Sequence, residues 1–333
     1  MLISILRGTA ALALVVLFAP SMARAENVDN RLLETYQPVT HLDPKEQFRP
    51  ASVQSFIADA DLERLHAGSW TVVDPEPEPG DLPGPDTGTW RLNQDSCTPT
   101  RLLGGLACYA AAGADGDGAS VIYGRVTRPE GAGAIVLQYW YFYYDNTYSY
   151  NYPPDDFIWQ AHEGDWEVVN VVLSEGEQPQ FVGYSQHCRG QRLDWASDQL
   201  ARLDTHPIVY VAVGSHANYF SAGSHDIDTR CLPRVAIEFL QQQNLPLPVD
   251  HSVDGGEVAG PWEAGGTFTH IRAIEDGHPS WVAFPGFWGE LQYVHAPPGT
   301  FQFGTSPQGP AYHDVWEDPL GTMADWPPPP PPD

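Results

Sequence analysis

The sequence predicts a mostly β fold, an antiparallel β-sandwich with a few short helices and long loops. Residues 134–144 form a long run of aromatic and β-branched side chains, which is typical of a strand. Apolar and polar residues alternate from Val121 to Thr127, and β-branched residues recur from Pro207 to Val213. A turn sequence at residues 175–179 separates two further runs. Closely spaced runs joined by turns favour antiparallel neighbours and hence a sandwich.

The first 25 residues have the pattern of a signal peptide. Arg7 supplies positive charge, residues 10–19 are apolar, and Ala23-Arg24-Ala25 is a small-residue cleavage sequence. The apolar run is shorter than the roughly 20 residues that a membrane anchor needs. The sequence therefore predicts export to the periplasm or the extracellular space, with no transmembrane segment in the mature chain.

The rest of the chain, residues 26–320, is predicted to be a single β-sandwich domain. A short helix is expected within residues 52–65, and another within residues 234–243. Residues 74–88 are rich in proline, glycine and acidic side chains and predict a surface loop. Residues 321–333 include six consecutive prolines and predict a disordered, proline-rich tail.

The charge balance limits the partners that the protein can have. The chain carries 16 basic and 43 acidic residues, a net charge of −27. Phosphate backbones would be repelled, so nucleic acid is not an expected partner, and purely electrostatic docking on an anionic bilayer is disfavoured. The same charge favours the binding of cations.

Four cysteines are compatible with disulfide bonds in an oxidising compartment. Three connectivities are possible. We favour Cys97–Cys108 and Cys188–Cys231, because the two pairs lie in separate stretches of the chain. No C-x-x-C occurs, which argues against a cysteine metal site.

Polar residues cluster in the segment Ala161-His162-Glu163-Gly164-Asp165-Trp166-Glu167, which precedes an apolar β-like run. Strand geometry places Asp165 and Glu167 on one face and Trp166 on the other. Two carboxylates with a nearby imidazole can converge on one cation. A solvated strand edge is the alternative interpretation.

Two other strand ends carry histidine, at Ser185-Gln186-His187 and at Ser215-His216. In a sandwich these residues can gather at one rim with the first cluster. Hard oxygen donors with one or two imidazoles suit Ca²⁺, Mg²⁺ or Mn²⁺, while a histidine-rich version would suit Zn²⁺. Neither G-x-S-x-G nor H-E-x-x-H occurs. The remaining catalytic possibility is a metal-activated water, with Glu163 or His216 as its general base.

Several motifs resemble those of the vacuolar protein sorting-associated protein 62-like family. They are Tyr36-Gln-Pro-Val with Leu42-Asp-Pro-Lys-Glu, Gln138-Tyr-Trp-Tyr-Phe, His162-Glu-Gly-Asp-Trp-Glu, Tyr184-Ser-Gln-His and the long run from His206 to Tyr219. The resemblance extends from about Leu32 to about Trp288. It implies an exported bacterial member of that family.

The central motif also resembles, more distantly, the heptad Gly-His-Arg-His-Asp-Trp-Glu of the necrosis- and ethylene-inducing peptide-like cytolysins. That resemblance implies a β-sandwich with a divalent cation at its rim, Ca²⁺ or Mg²⁺. Carried over by position, it gives four metal ligands: Asp145, His162, Asp165 and Glu167.

Two aspects of this second resemblance are specific to the present chain. The loop between Asp145 and His162 is longer here than in the cytolysins, so Asp155 or Asp156 could take the place of Asp145 as a ligand. Ala161, Glu163 and Gly164 differ from the heptad. The metal ligands are therefore implied, whereas the cytolytic activity is not.

Together these observations predict an exported, divalent-metal-binding β-sandwich that recognises a glycan or a lipid headgroup without catalysis. Aromatic side chains beside the predicted cation site, at Tyr148, Tyr150, Tyr152 and Trp159, could stack on sugars. The alternatives are a metal-dependent hydrolase and a membrane-active, cytolysin-like protein.

Overall fold

A computed structural model describes residues 28–94 except 86, 120–149, 158–290 except 233, 243, 245 and 246, 294–296, 299–301 and 306–330. The strands, numbered in chain order, are β1 Val39–Leu42, β2 Ala60–His66, β3 Ser69–Asp74, β4 Trp90–Gln94, β5 Ser120–Thr127, β6 Ala134–Ser149, β7 Ile158–Ser174, β8 Pro179–Gln186, β9 Arg189–Asp194, β10 Arg202–Leu203, β11 His206–Val211, β12 Asn218–Tyr219, β13 Gly223–Asp226, β14 Val249–Ser252, β15 Val258–Gly260, β16 Thr267–Ala273, β17 Phe287–Trp288, β18 Val294–Ala296 and β19 Gly299–Phe301. Residues 28–35 are helical, as are Val53–Ala58, Arg234–Gln242, Asp314–Glu317 and Pro319–Ala324.

Most strands of the described chain belong to one 11-stranded, curled sheet, in the order β10-β11-β1-β15-β16-β5-β6-β7-β8-β9, with β12 paired to β11. The pairs β1–β11, β15–β16 and β16–β5 are parallel, while β5 to β9 pair antiparallel. The mostly β prediction is confirmed, but the antiparallel sandwich is wrong because the sheet is mixed. The parallel pairs join segments far apart in sequence, which local turn chemistry does not reveal.

The hairpin of β6 and β7 is the centre of this sheet. The two strands pair from Ala134 opposite Ser174 to Ser149 opposite Ile158. Both are longer than the sequence suggested, so Asp145 lies within a strand and not in a loop. The His162–Glu167 cluster likewise lies inside β7 and not at its mouth.

One face of the hairpin carries an aromatic core. The Trp166 ring lies 4.9 Å from that of Phe142, stacks on Trp281 at 5.8 Å and meets Trp288 edge-on at 5.4 Å. Trp140, Trp281 and Trp288 are fully buried. This apolar packing fixes the hairpin, and therefore fixes the polar residues on its opposite face.

The smaller sheet has the order β17-β4-β2-β3. The helix predicted within residues 52–65 is shorter than expected, because it ends at Ala58 and Ala60–His66 pairs as a strand with β3 and β4. In the described part of the acidic loop, residues 75–85 and 87–88 form neither helix nor strand. No helix among the described residues has the length and hydropathy that a membrane span requires.

The C-terminal segment is not the disordered tail that its composition suggested. Met323 and Trp326 are 0% and 7% exposed. Both pack on Gly183, and Trp326 also packs on Gly190, where an added Cβ would lie 2.6 Å from the Trp326 ring. The Arg192 amide then donates to the carbonyl of Pro327 at 3.0 Å, so the proline segment covers part of the edge strand β9.

Replacing Trp326 by Ala should lower the free energy of unfolding by about 3 kcal/mol, because a large buried ring leaves a cavity over β8 and β9. Chemical denaturation measures this loss. Trp262→Ala is the matched control, since Trp262 is 73% exposed and its removal should change stability by less than about 0.5 kcal/mol. Equal losses in the two variants would contradict the packing of the tail.

The Cys188–Cys231 disulfide is present, as predicted. It joins the turn between β8 and β9 to the short 3-10 helix Thr229–Cys231. Cys97, Cys108 and the predicted signal segment 1–25 lie outside the described residues.

Candidate functional site

Gly164 places a bend in β7 that decides which side chains meet. Its backbone is left-handed, with φ of 59°, and an added Cβ would lie 2.1 Å from the Trp288 carbonyl oxygen. On one side of the bend Asp165 pairs with Tyr143, and on the other His162 pairs with Asn146. The Asn146 amide donates to Asp165 Oδ2 at 3.3 Å. His162 and Asn146 therefore share the face of Asp165, although regular alternation would separate residues three apart.

A buried imidazole links two carboxylates at the centre of this face. His216 Nδ1 lies 2.9 Å from Asp165 Oδ2, and its Nε2 lies 3.6 Å from Glu46 Oε1. The side chains of His216 and Glu46 have no exposed surface. Glu46 also accepts from the amides of Phe48, at 2.8 Å, and Gly214, at 2.7 Å.

The turn after β11 positions His216. The residue is left-handed, with φ of 55°, and its amide donates to the Ala212 carbonyl at 3.0 Å. Its ring stacks on Tyr143 with centroids 3.9 Å apart and a 4° angle between planes. The imidazole thus lies between β6 and the Glu46 segment with little freedom to move.

Electrostatic interactions keep Glu46, His216 and Asp165 charged. Burial alone would lower the pKa of His216, but Glu46 and Asp165 raise it to about 10. Burial would raise the pKa of both carboxyls, yet the imidazolium holds the pKa of Glu46 and Asp165 below the usual range. The stable form is an imidazolium between two carboxylates.

Glu167 lies beside this group with weaker compensation. The Ser185 hydroxyl donates to Glu167 Oε2 and accepts from the Val168 amide at 2.8 Å. Burial, together with the charge of Asp165, raises the pKa of Glu167 well above its usual range. Three buried carboxyl groups, those of Glu46, Asp165 and Glu167, therefore interact with the imidazolium of His216.

A further buried carboxylate, that of Asp250, organises the neighbouring region. It accepts from Ser215 Oγ at 2.7 Å, Tyr219 Oη at 2.5 Å and His187 Nε2 at 2.7 Å. Burial would lower the pKa of His187, but Asp250 and, more weakly, Asp165 raise it. This electrostatic coupling links the two carboxylate groups.

His187 and Tyr219 also line a cleft of about 370 Å³. Its other walls are polar side chains of β9 and β13 and the C-terminal proline segment. The remaining lining residues are Gln186, Arg189, Gly190, Gln191, Asp226, Ile227, Asp228, Pro327, Pro328 and Pro330. The Cys188–Cys231 disulfide connects the two sides of the cleft, because each cysteine is close in sequence to one of them.

Two predicted residues lie away from this face. Asp145 pairs with Glu163, and residues directly opposite in a sheet share a face. Glu163 Oε2 accepts from the amides of Gln94, at 3.1 Å, and Glu290, at 2.9 Å. Glu163 therefore lines no part of the site and is not placed as a general base. Asp145 lies on the same face as Glu163. His216 is not placed as a general base either, since it is fully buried in its ion pairs.

Some predicted residues cannot be placed. Asp155, Asp156, Tyr150 and Tyr152 lie outside the described residues. Tyr148 is buried, at 5% exposed, and its ring lies 5.6 Å from that of His187. It is therefore a packing residue of β6, not an exposed platform.

Three residues of the candidate site, Glu46, Asn146 and Asp250, were missed in the sequence. Glu46 ends the motif Leu42-Asp-Pro-Lys-Glu, so its place in a recurring motif was the available signal. Asn146 follows Asp145, and only the bend at Gly164 brings it to the site. Nothing around Asp250 distinguishes it from other acidic residues.

The donors on this face fit a hard divalent cation in chemical type. His162 Nδ1 lies 2.7 Å from the Gly164 carbonyl oxygen, which directs the Nδ1 proton there and leaves the Nε2 lone pair for a ligand. Asn146 Oδ1 is buried without a hydrogen-bond partner. Among the described residues, no three His, Cys, Asp or Glu side chains are already grouped at metal-binding spacing. A cation would have to draw Asp165, Glu167 and His162 closer together.

Comparison with known proteins finds two curated relatives from Saccharomyces cerevisiae, while no family model matches the chain. Vacuolar protein sorting-associated protein 62 is 24% identical in an alignment 336 residues long. The alignment covers 89% of this chain and 68% of the yeast protein. The vacuolar protein sorting-associated protein TDA6 is 23% identical over 322 residues, covering 83% and 64%. The chain thus spans about two thirds of the length of each relative.

The chain also shows a weak similarity to several solved structures. NLPPya in complex with glucosamine aligns over 89% of both chains, with 12% identity and a TM-score of 0.40. Necrosis and Ethylene inducing Protein 2, from the causal agent of cocoa's Witches Broom disease, aligns over 57% of this chain and 67% of its own, with 18% identity and a TM-score of 0.31. The yeast relatives confirm the resemblance of the motifs to the vacuolar protein sorting-associated protein 62-like family.

Proposed function

We propose that this chain is an exported β protein that binds a divalent cation and, beside it, a glycan or lipid headgroup, without catalysis. The observation that carries the cation site is the excess of buried acid. Glu46, Asp165 and Glu167 share one imidazolium, that of His216. Burying carboxyl groups without a balancing cation is costly, so a bound cation would stabilise this arrangement.

The residues that would hold the cation are Asp165, Glu167, His162 and Asn146. Three of them offer oxygen donors, which favours Ca²⁺ or Mg²⁺ over softer metals. When bound, the cation would supply positive charge that can engage ligand hydroxyls or an anionic headgroup. Glu46 and His216 would orient Asp165 from behind.

The ligand would occupy the cleft lined by His187 and Tyr219. Its volume of about 370 Å³ lies within the range of small-molecule sites. Amide, carboxylate, guanidinium and imidazole groups in the walls can each bond to hydroxyl groups, and the proline rings offer apolar contact to the C–H face of a sugar. Its mixed polarity supports a hydroxyl-rich ligand.

Replacing Glu167 by Gln should abolish cation binding while leaving the fold intact. Burial, together with the charge of Asp165, raises the pKa of Glu167 in the protein without cation, so an uncharged Gln of similar shape should be tolerated there but cannot become an anionic ligand. Calorimetric titration of CaCl₂ or MgCl₂ into EDTA-stripped protein should show an affinity loss of about 100-fold or more.

Glu163→Gln is the control for this titration. It lies four residues from Glu167, but its carboxylate accepts amide hydrogen bonds on the other face, and Gln keeps an acceptor there. We expect unchanged cation affinity. Binding that survives Glu167→Gln, or that is lost equally in Glu163→Gln, would contradict the proposed site.

A further inference from the structure

A surface aromatic platform lies apart from the residues of the cation site and the cleft. Trp262 is 73% exposed, the most exposed large hydrophobic side chain in the described part of the chain. Its ring stacks on Phe268 with centroids 4.1 Å apart and planes 7° from parallel. Phe268 in turn meets His270 edge-on at 4.7 Å. One face of the indole is therefore supported, and the other faces solvent.

The backbone around Trp262 holds this orientation. Trp262–Ala264 forms a 3-10 turn that begins after Pro261 and ends at Gly265, where φ is 74°. Gly266 approaches β15 so closely that an added Cβ would lie 1.9 Å from the Val258 carbonyl oxygen. The platform is thus set before any ligand arrives, which lowers the entropic cost of binding.

We propose that Trp262 is a carbohydrate-stacking platform that contacts a neutral polysaccharide without help from the cation. A flat aromatic face matches the C–H face of a pyranose ring. Glu263, which follows Trp262 in the chain, and His270, whose ring meets Phe268, are both exposed and can bond to sugar hydroxyls. A membrane is a poorer match, because a net charge of −27 opposes approach to anionic lipid and the next residue in the chain, Glu263, is acidic.

The test is retention of the full chain on microcrystalline cellulose, chitin and curdlan particles in EDTA. We expect wild-type protein to be retained on at least one polysaccharide, and Trp262→Ala to bind about tenfold less. Tyr312→Ala, which removes another partly exposed aromatic ring at 38% exposure, is the control and should bind like wild type. Unchanged circular dichroism would show that Trp262→Ala is folded.

The same assay separates this platform from the cation site. EDTA removes divalent cations from the assay, so failure of the cation proposal leaves this result unaffected. Retention on none of the three polysaccharides would overturn the proposal, as would equal retention of wild type and Trp262→Ala. Binding to phosphatidylcholine vesicles that depends on Trp262, without retention on polysaccharide, would assign the platform to lipid and also overturn it.

Discussion

Replacing His216 by Ala should lower the free energy of unfolding by about 3–5 kcal/mol, because it leaves the Glu46 and Asp165 carboxylates buried without the imidazolium that they share. Both partners lie within 3.6 Å of the imidazole. Urea denaturation near neutral pH measures the loss. The control is His41→Ala, which removes an ion pair to Asp254, whose side chain is 61% exposed, and should cost less than about 1 kcal/mol.

The stabilisation by His216 should also depend on pH in a defined direction. Its pKa is raised from 6.5 to about 10 on folding, so its contribution is complete below pH 6.5 and is lost as pH rises through about 10. The difference in unfolding free energy between wild type and His216→Ala should therefore shrink above pH 6.5. A difference that grows with rising pH over this interval would contradict the ion-paired imidazolium.

Replacing Gly164 by Ala should cost about 3–4 kcal/mol of stability, since the new Cβ meets a backbone atom and the residue is left-handed. The Cβ would lie 2.1 Å from the Trp288 carbonyl oxygen, and backbone cannot move aside as a flexible side chain can. Because the bend at Gly164 brings Asn146 and His162 to Asp165, the variant should also lose cation affinity. Thermal or chemical denaturation and calorimetry measure the two effects.

Gly131→Ala separates the two causes of this loss. Gly131 has φ of 71°, but an added Cβ would meet nothing within 4 Å. It carries the left-handed penalty alone, about 1 kcal/mol. Similar losses at Gly131 and Gly164 would show that the close approach of β7 to Trp288 is unimportant.

Much of the central hairpin could be predicted from sequence. Aromatic and β-branched residues in 134–144 and the apolar run after Glu167 are local signals of strands, and both strands are present. Alternation also correctly placed Trp166 on the other face of the strand from Asp165 and Glu167, since Trp166 packs against Trp281. The mixed sheet could not be predicted this way, because β1 pairs with β11 across more than half of the chain's described length and no local pattern encodes that partner.

The candidate site was predictable only in part, for the same reason. Asp165 and His216 were both identified, but their partner Glu46 was missed, because its place in the motif Leu42-Asp-Pro-Lys-Glu was the available signal. Asp145 was assigned because it follows a Tyr- and Trp-rich strand, as in the cytolysins, whereas the left-handed backbone of Gly164 changes which face the residues around Gly164 occupy. The packing role of Trp326 could not be predicted from the proline-rich composition of the tail. Burial of Trp326 depends on its contacts with Gly183 and Gly190, which composition does not reveal.

The most direct test of the cation site is anomalous diffraction from crystals soaked in MnCl₂, with Mn²⁺ standing in for Mg²⁺ or Ca²⁺. We expect one strong peak between Asp165, Glu167, His162 and Asn146, at about 2.0–2.6 Å from their donor atoms, and its absence in Glu167→Gln crystals. A peak elsewhere, or a peak here that persists in Glu167→Gln, would contradict the site. So would crystals of the wild type with no peak at saturating Mn²⁺.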